Sequence, residues 1–346
     1  MREFLLTVTA LGLSLSVFAD GHADGLPARL QRLLDRGGEV RIPAGDYTIS
    51  RPLVIKGDTH LVCEKGARFR LADGANCAML MNVDPGLGAY ERNVTIEGGV
   101  WDGNNVNQVR DLYTTGDYVR GQLMYLTAIS NLVLRGVTFR NPNCYCVQIA
   151  DADTFRIEDI TFDCDERTPN EDGVHLDGPA RNGVIRRIRG NTGDDLVALN
   201  ADEGAFRASN CDMRNILIED LDGGTNGYTG VRCLSRTARI SDVTLRRMRG
   251  VFRYHPFSFT HWFRGPKEER PVLGHFDNIL IEDIDVAQAP CGFPAGFVRF
   301  QEGVADVGTI TIRNFRRRAN VSEGKMTPTV WFEPGVRIRC LRLENF

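Results

Sequence analysis

The chain has 346 residues, 42% of them hydrophobic and 25% charged, with 36 glycines and a formal net charge of -3. Such a composition belongs to a folded globular protein, and the slight negative charge excludes a dedicated nucleic-acid binder. Length alone allows one large domain or two.

Met1–Ala19 carries one cation, Arg2, then an apolar run from Phe4 to Phe18 and a Val-Phe-Ala end ahead of Asp20. This pattern predicts a secretory signal, too short for a membrane anchor. No later run approaches a spanning length, so a soluble exported monomer is expected, periplasmic or extracellular and without a membrane partner. The nine cysteines suit that setting, yet an odd number at irregular spacing matches no compact disulfide framework. Cys144 and Cys146, one residue apart, cannot chelate zinc as a CxxC pair does. The cysteines are expected as small buried hydrophobes with one or two bridges among them, and no metal or cofactor is expected.

Leu26–Asp35 places Leu26, Leu30, Leu33 and Leu34 on a helical period and stops at Gly37 and Gly38. A helix here, ahead of short β-rich runs, predicts a cap over the open end of a solenoid. From there one pattern recurs: a large aliphatic residue, two mostly polar ones, then another apolar. It reads Ile96/Val100 (with one extra residue), Leu134/Val137, Ile157/Ile160, Ile185/Ile188, Ile218/Leu221, Leu245/Met248, Ile281/Ile284, Ile312/Phe315 and Ile338/Leu341. Successive first anchors lie 23 to 38 residues apart, so the coil has a floor in the low twenties and the excess falls in loops. Those dimensions predict an all-β fold, a right-handed parallel β-helix forming a single solenoid domain over residues 20–346 behind a signal at 1–19. The basic clusters at Arg246, Arg247 and Arg249 and at Arg316–Arg318 are expected on solvated strand faces.

A second strand candidate follows each anchor pair: Cys146–Ala150, Asp172–Asp177, Asp195–Asn200, Thr229–Ser235, His255–His261 and Gly296–Gln301. Stacked, they carry His175, Asp177, Arg232, His255, His261 and Arg299 on one outer face. A polar, mixed-charge face of this kind suits a sugar polymer. Trp262 and Phe263 are expected as a sugar platform beside it, and Asn200 in an internal amide ladder.

Asp172 in NEDG and the pair Asp194 and Asp195 in GDD are separated by 22 residues, counted from Asp172 to Asp194. If the coil is about that long, the acids stack on neighbouring strands roughly 4.8 Å apart. Carboxylates so close cannot all ionise independently, which supplies a general acid beside a general base, the pairing that cleaves a glycosidic bond. With Val174 and Leu176 facing inward, Asp172 falls in phase with the core and must lie at a bend, as must one of Asp194 and Asp195.

NEDG followed by GDDLVAL resembles the NTDG and GDDC(V/I)A(I/V) motifs of the polygalacturonase-type family 28 glycoside hydrolases in the pectin-lyase-like superfamily, and the resemblance runs from about Gly38 to Leu199. It implies an inverting hydrolysis in which Asp194 is the acid while Asp172 and Asp195 position and deprotonate the water. The family's later HG and R-x-K motifs are replaced by GYTGVRCLS and FRYHPFSFTHWFRG. The expected substrate is therefore a polysaccharide or oligosaccharide, acidic or neutral, other than plain polygalacturonate, contacted by His175, Tyr228, Arg232, His255, His261 and Arg264. Two other readings use the same fold. A lyase would take Arg232, His255 or His261 as base with Ca²⁺ on the acids, and a sugar-binding β-helix would lack catalysis.

Overall fold

The computed structural model describes residues 26–346 apart from 87, 110–120, 167–169, 203–210, 264–265, 267–268, 270, 290–294 and 319–326. The predicted signal, Cys291 and Arg264 lie outside the described residues, as does most of the loop between Gly103 and Arg120.

One helix, Leu26–Arg36, opens the chain with Leu30 and Leu34 buried beneath it. Gly37 ends it at φ 66, where its N–H closes the last turn on the Leu34 carbonyl. The helix caps the solenoid as expected. The Gln31 side chain bonds both the carbonyl and the N–H of Val54, so the strand Leu53–Val54, the first of its stack, meets a hydrogen-bonding partner on its open edge.

Every strand pairing among the described residues is parallel, the ladder of a right-handed parallel β-helix. One face stacks short strands in register through Val147, Val174, Val197, Val231, Phe257, Val298 and Val330. A second stacks the predicted anchors Ile96, Leu134, Ile157, Ile185, Ile218, Leu245, Ile281 and Ile312. All of these anchors are buried, so each coil contributes the same apolar spot to one continuous core. Flat rings extend the stacking, with Phe69 on Trp101 at 4.1 Å and Phe259 on Phe300 at 4.6 Å.

Two anchors differ from expectation. Val100 pairs with Thr138, and Trp101 takes the buried place above Phe139. In the last coil Ile312 pairs with Leu343, and Ile338 lies against Val307.

The corners explain the polar spacing between anchors. Asp58, Asn93, Asn131, Asn182, Asn215, Asp242 and Asn278 all take left-handed backbone, which Asn and Asp tolerate better than other side chains. Their amides bond from coil to coil, Asn131 to Asn93 and Asn215 to Asn182 at 2.8 Å each.

Outside the anchor face runs a column of strictly alternating charge: Glu97, Arg135, Glu158, Arg186, Glu219, Arg246, Glu282, Arg313 and Glu344. Arg186 reaches Glu158 at 2.8 Å and Arg246 reaches Glu219 at 2.7 Å. The basic clusters are thus partly exposed rows neutralised by the neighbouring coil. No disulfide joins any two of the eight described cysteines, most of them buried, so none of the expected bridges forms among them, although the Cys146 and Cys164 sulfurs approach to 3.6 Å.

Glu219→Arg replaces two attractive cross-coil pairs by two repulsive ones and should lower stability by about 2 kcal/mol, with Glu219→Gln costing about half that. A shift of the urea midpoint at constant slope measures both.

Candidate active site

Asp172 lies just before a bend at Gly173, ahead of strand Val174–Asn191. A Cβ at Gly173 would come within 2.5 Å of the Leu196 carbonyl oxygen, so only glycine lets the chain turn here. Asp194 lies in the matching bend one coil later, and Asp195 is the first residue of strand Asp195–Asn200. The bends resolve the phase conflict expected from the sequence.

The register is 23 residues, Val174 against Val197, so Asp172 stacks on Asp195, and Asp194 takes the place above Glu171. The sequence reading put Asp194 over Asp172 on a period of 22. The cluster survives the one-residue correction because both aspartates of GDD lie at the corner. One oxygen from each of Asp172, Asp194 and Asp195 falls within 4.8 Å of the others.

Asp172 and Asp195 are buried and Asp194 is half-buried. Burial, with Asp195 and Asp172 close by, pushes Asp194 up to about 9. Burial also pushes Asp195 up, to about 7, against the pull of the Arg232 guanidinium, whose Nε lies 2.7 Å from its Oδ2. The two neighbours in sequence are therefore unequal acids.

Behind them His175 is buried, with Nδ1 2.6 Å from Asp172 and Nε2 3.4 Å from Asp177 and 3.0 Å from the Asn200 amide. It was expected to touch sugar, but both ring nitrogens are engaged inside the protein, and Tyr145 stacks on the ring at 3.9 Å. Burial works against its charge, yet Asp177 and Asp172 outweigh that and hold it up at about 10. Asn200 likewise serves this cluster, and the amide ladder runs along the outer corner instead.

The carboxylates open onto a cleft with about 560 Å³ of empty space, lined by Asp194, Asp195, Thr229, Arg232, Tyr254, Ser258, His261, Trp262, Arg299 and Gln301. Arg232 and His261 line it as expected, His261 with Nε2 2.8 Å from the Glu302 carbonyl. Tyr228 is half-buried under the Arg253 guanidinium, near enough to Asp194 for that acid to raise its hydroxyl pKa beyond what burial does. His255 does not reach the cleft lining. It is buried with Nδ1 on the Gly296 carbonyl, and burial drops it to about 4, so it is a neutral packing residue and no proton acceptor for a substrate.

Sequence reasoning passed over Thr229 and Tyr254 as site residues, and it placed Arg299 on the sugar-facing side without giving it a contact. Arg299 shared the outward phase of His175 and Arg232 on the stacked strands, which was the available signal. Its guanidinium bonds Glu333 at 2.6 Å and the Tyr254 hydroxyl at 3.0 Å and lies over Trp331.

The fold is similar to that of several solved structures. A polygalacturonase from Erwinia carotovora ssp. carotovora superposes with a TM-score of 0.66 at 19% identity over 92% of this chain and 94% of that one. An endo-xylogalacturonan hydrolase from Aspergillus tubingensis gives 0.64 at 14% over 92% and 88%. The surface adhesin PfbA of Streptococcus pneumoniae gives 0.65 at 14% over 93% and 88%. No curated protein matches the sequence. The sequence model of glycosyl hydrolases family 28 matches residues 72–245, a span of just over half the chain that includes all three clustered aspartates, and the protein belongs to that family.

Proposed function

We propose that this glycoside hydrolase cleaves its polymer by direct water attack, with Asp194 as general acid and Asp172 and Asp195 holding and deprotonating the water. The observation that carries the reading is the unequal cluster: Asp194 keeps its proton well above neutral pH, while Arg232 favours the charged form of Asp195 beside it. The Asp172 Oδ2 is taken by His175, and its buried Oδ1 has no hydrogen-bond partner among the described residues, a fitting seat for a water.

Inversion is favoured because both candidate nucleophiles are tied down, Asp172 by an imidazole and Asp195 by a guanidinium. The facing oxygens, within 4.8 Å, are nearer the ~5–5.5 Å of retaining pairs than the ~6.5–9.5 Å of inverting ones, so inversion rests on those two ties and not on the spacing. In this reading the water lies beside Asp172 and Asp195 while Asp194 faces the leaving oxygen.

Each cation lining the cleft has an acid on it, Asp195 on Arg232 and Glu333 on Arg299. Such pairs suit hydroxyl-rich or weakly acidic sugars better than a densely charged polyuronate. Xylogalacturonan, the polymer named for one structural relative, heads the list to try, with polygalacturonate as the densely charged comparison. The lyase reading keeps His261 alone of its three candidate bases, since Arg232 is on Asp195 and His255 is buried and neutral, and the His261 Nε2 is itself engaged on the Glu302 carbonyl.

Incubation with acidic and neutral glycans should release reducing ends without the ultraviolet absorbance of an unsaturated product, and NMR of the first product should find the inverted anomer. Asp194→Asn should lower kcat by about 10³-fold; unchanged sugar binding with no product from any polymer, for wild type as well, would leave a binding protein. Arg232→Gln removes a charge that lowers both Asp195 and Asp194, so both limbs of the pH–rate profile should move to higher pH. Export belongs to the same proposal, and the mature protein should begin at Asp20 by N-terminal sequencing.

A further inference from the structure

On the outward column of the site face the side chains run Tyr125, Gln148, His175, Ala198, Arg232, Ser258 and Arg299. His175 alone among them lies wholly behind the carboxylates. A chain of hydrogen bonds fixes it: Gln122 donates to Gln148 at 2.7 Å, Gln148 to Asp177 at 2.6 Å, and Asp177 and Asp172 flank the imidazole from either end. Tyr145 covers one face of the ring. An imidazole between two carboxylates, with an amide fixed in turn on the second of them, is held in orientation, and its charged form needs the Asn200 amide, whose Nδ2 lies 3.0 Å from Nε2, to turn its oxygen to the ring N–H.

We infer that His175 is a positioning residue for the proposed hydrolysis: a buried imidazolium that fixes the Asp172 carboxylate toward the water and supplies the positive charge that lets three acids share one corner. The inference rests on the assignment of water handling to Asp172 and Asp195.

Charge bookkeeping supports it. The charged and titratable groups around the ring are Asp172 and Asp177 on its own coil, Asp194 and Asp195 on the next, Arg232 one coil further and Tyr145 on the coil before. Four carboxyls thus face two cations, and His175 lowers both Asp194 and Asp195. Without it the acids would hold their protons to still higher pH and Asp172 would lose its only hydrogen-bonding partner on Oδ2 among the described residues.

The direct test needs no substrate. In the full chain labelled with ¹⁵N-histidine, one of the six imidazoles should remain doubly protonated at pH 8, and His175→Gln should remove that signal. Finding His175 neutral at pH 8 overturns the inference. Kinetics on polygalacturonate and xylogalacturonan supply the second readout. His175→Gln should lower kcat about 100-fold with KM within about twofold, as for a misplaced reacting group. Both limbs of its pH–rate profile should move to higher pH. A loss of activity with an unmoved pH profile would mark His175 as a packing residue only and overturn the inference. If the wild type releases no reducing ends, or Asp194→Asn stays active, the hydrolase reading fails instead, and the imidazole spectrum still reports the charge of His175.

Discussion

Coil-to-coil register is the constraint on which the rest of this molecule depends. Parallel strands ~4.8 Å apart bring whatever occupies one position of a coil against the same position of the next, and a slip of one residue would turn every apolar side chain outward. Three independent rows hold that register. The buried aliphatic anchors favour one phase, the left-handed Asn and Asp corners fix where each coil turns, and the Glu–Arg column rejects any displacement that sets like charges together. The last row contributes little per pair at a solvated surface, and its role is selection of one pairing over its neighbours.

The active corner follows from that register. Asp172, Asp195 and Thr229 occupy the same place on consecutive coils, so a carboxylate stack is brought together by residues far apart in the chain without any special loop. Three acids at one corner would repel. The fold meets this with one cation from below, His175, and one from the cleft side, Arg232, each on the same outward column and separated only by the small Ala198. Asp194, one residue off the stack in a bend, is the acid farthest from compensation and holds its proton most firmly.

Much of this was legible in the sequence because β-helices repeat their physics. The capping helix, eight anchors in phase, all six second-strand candidates and the aspartate cluster followed from period and motif. The family match extends past Leu199, where the motif resemblance fades, to residue 245. What could not be read was depth. His175 and His255 have the outward or flanking phase of groove residues, yet whether such a side chain meets solvent depends on what neighbouring coils place over it, here Tyr145 and Tyr254. Similarly, the coil length at the site was short by one residue, because a motif spacing between two bends does not reveal which member of GDD continues the strand.

The aspartate corner lies at the middle of the solenoid. Four coils separate it from Leu53 at the helix-capped end, and four lead the other way to Val330. That far end carries half-exposed strands Val330–Phe332 and Ile338–Glu344, with Phe332 and Leu343 open to solvent. In a one-dimensional stack, thermal fraying starts where a coil has one neighbour. Trp331 and Glu333, which hold the cleft-lining Arg299, would loosen before the reaction centre, so heat should disturb that arginine before it disturbs the aspartate corner.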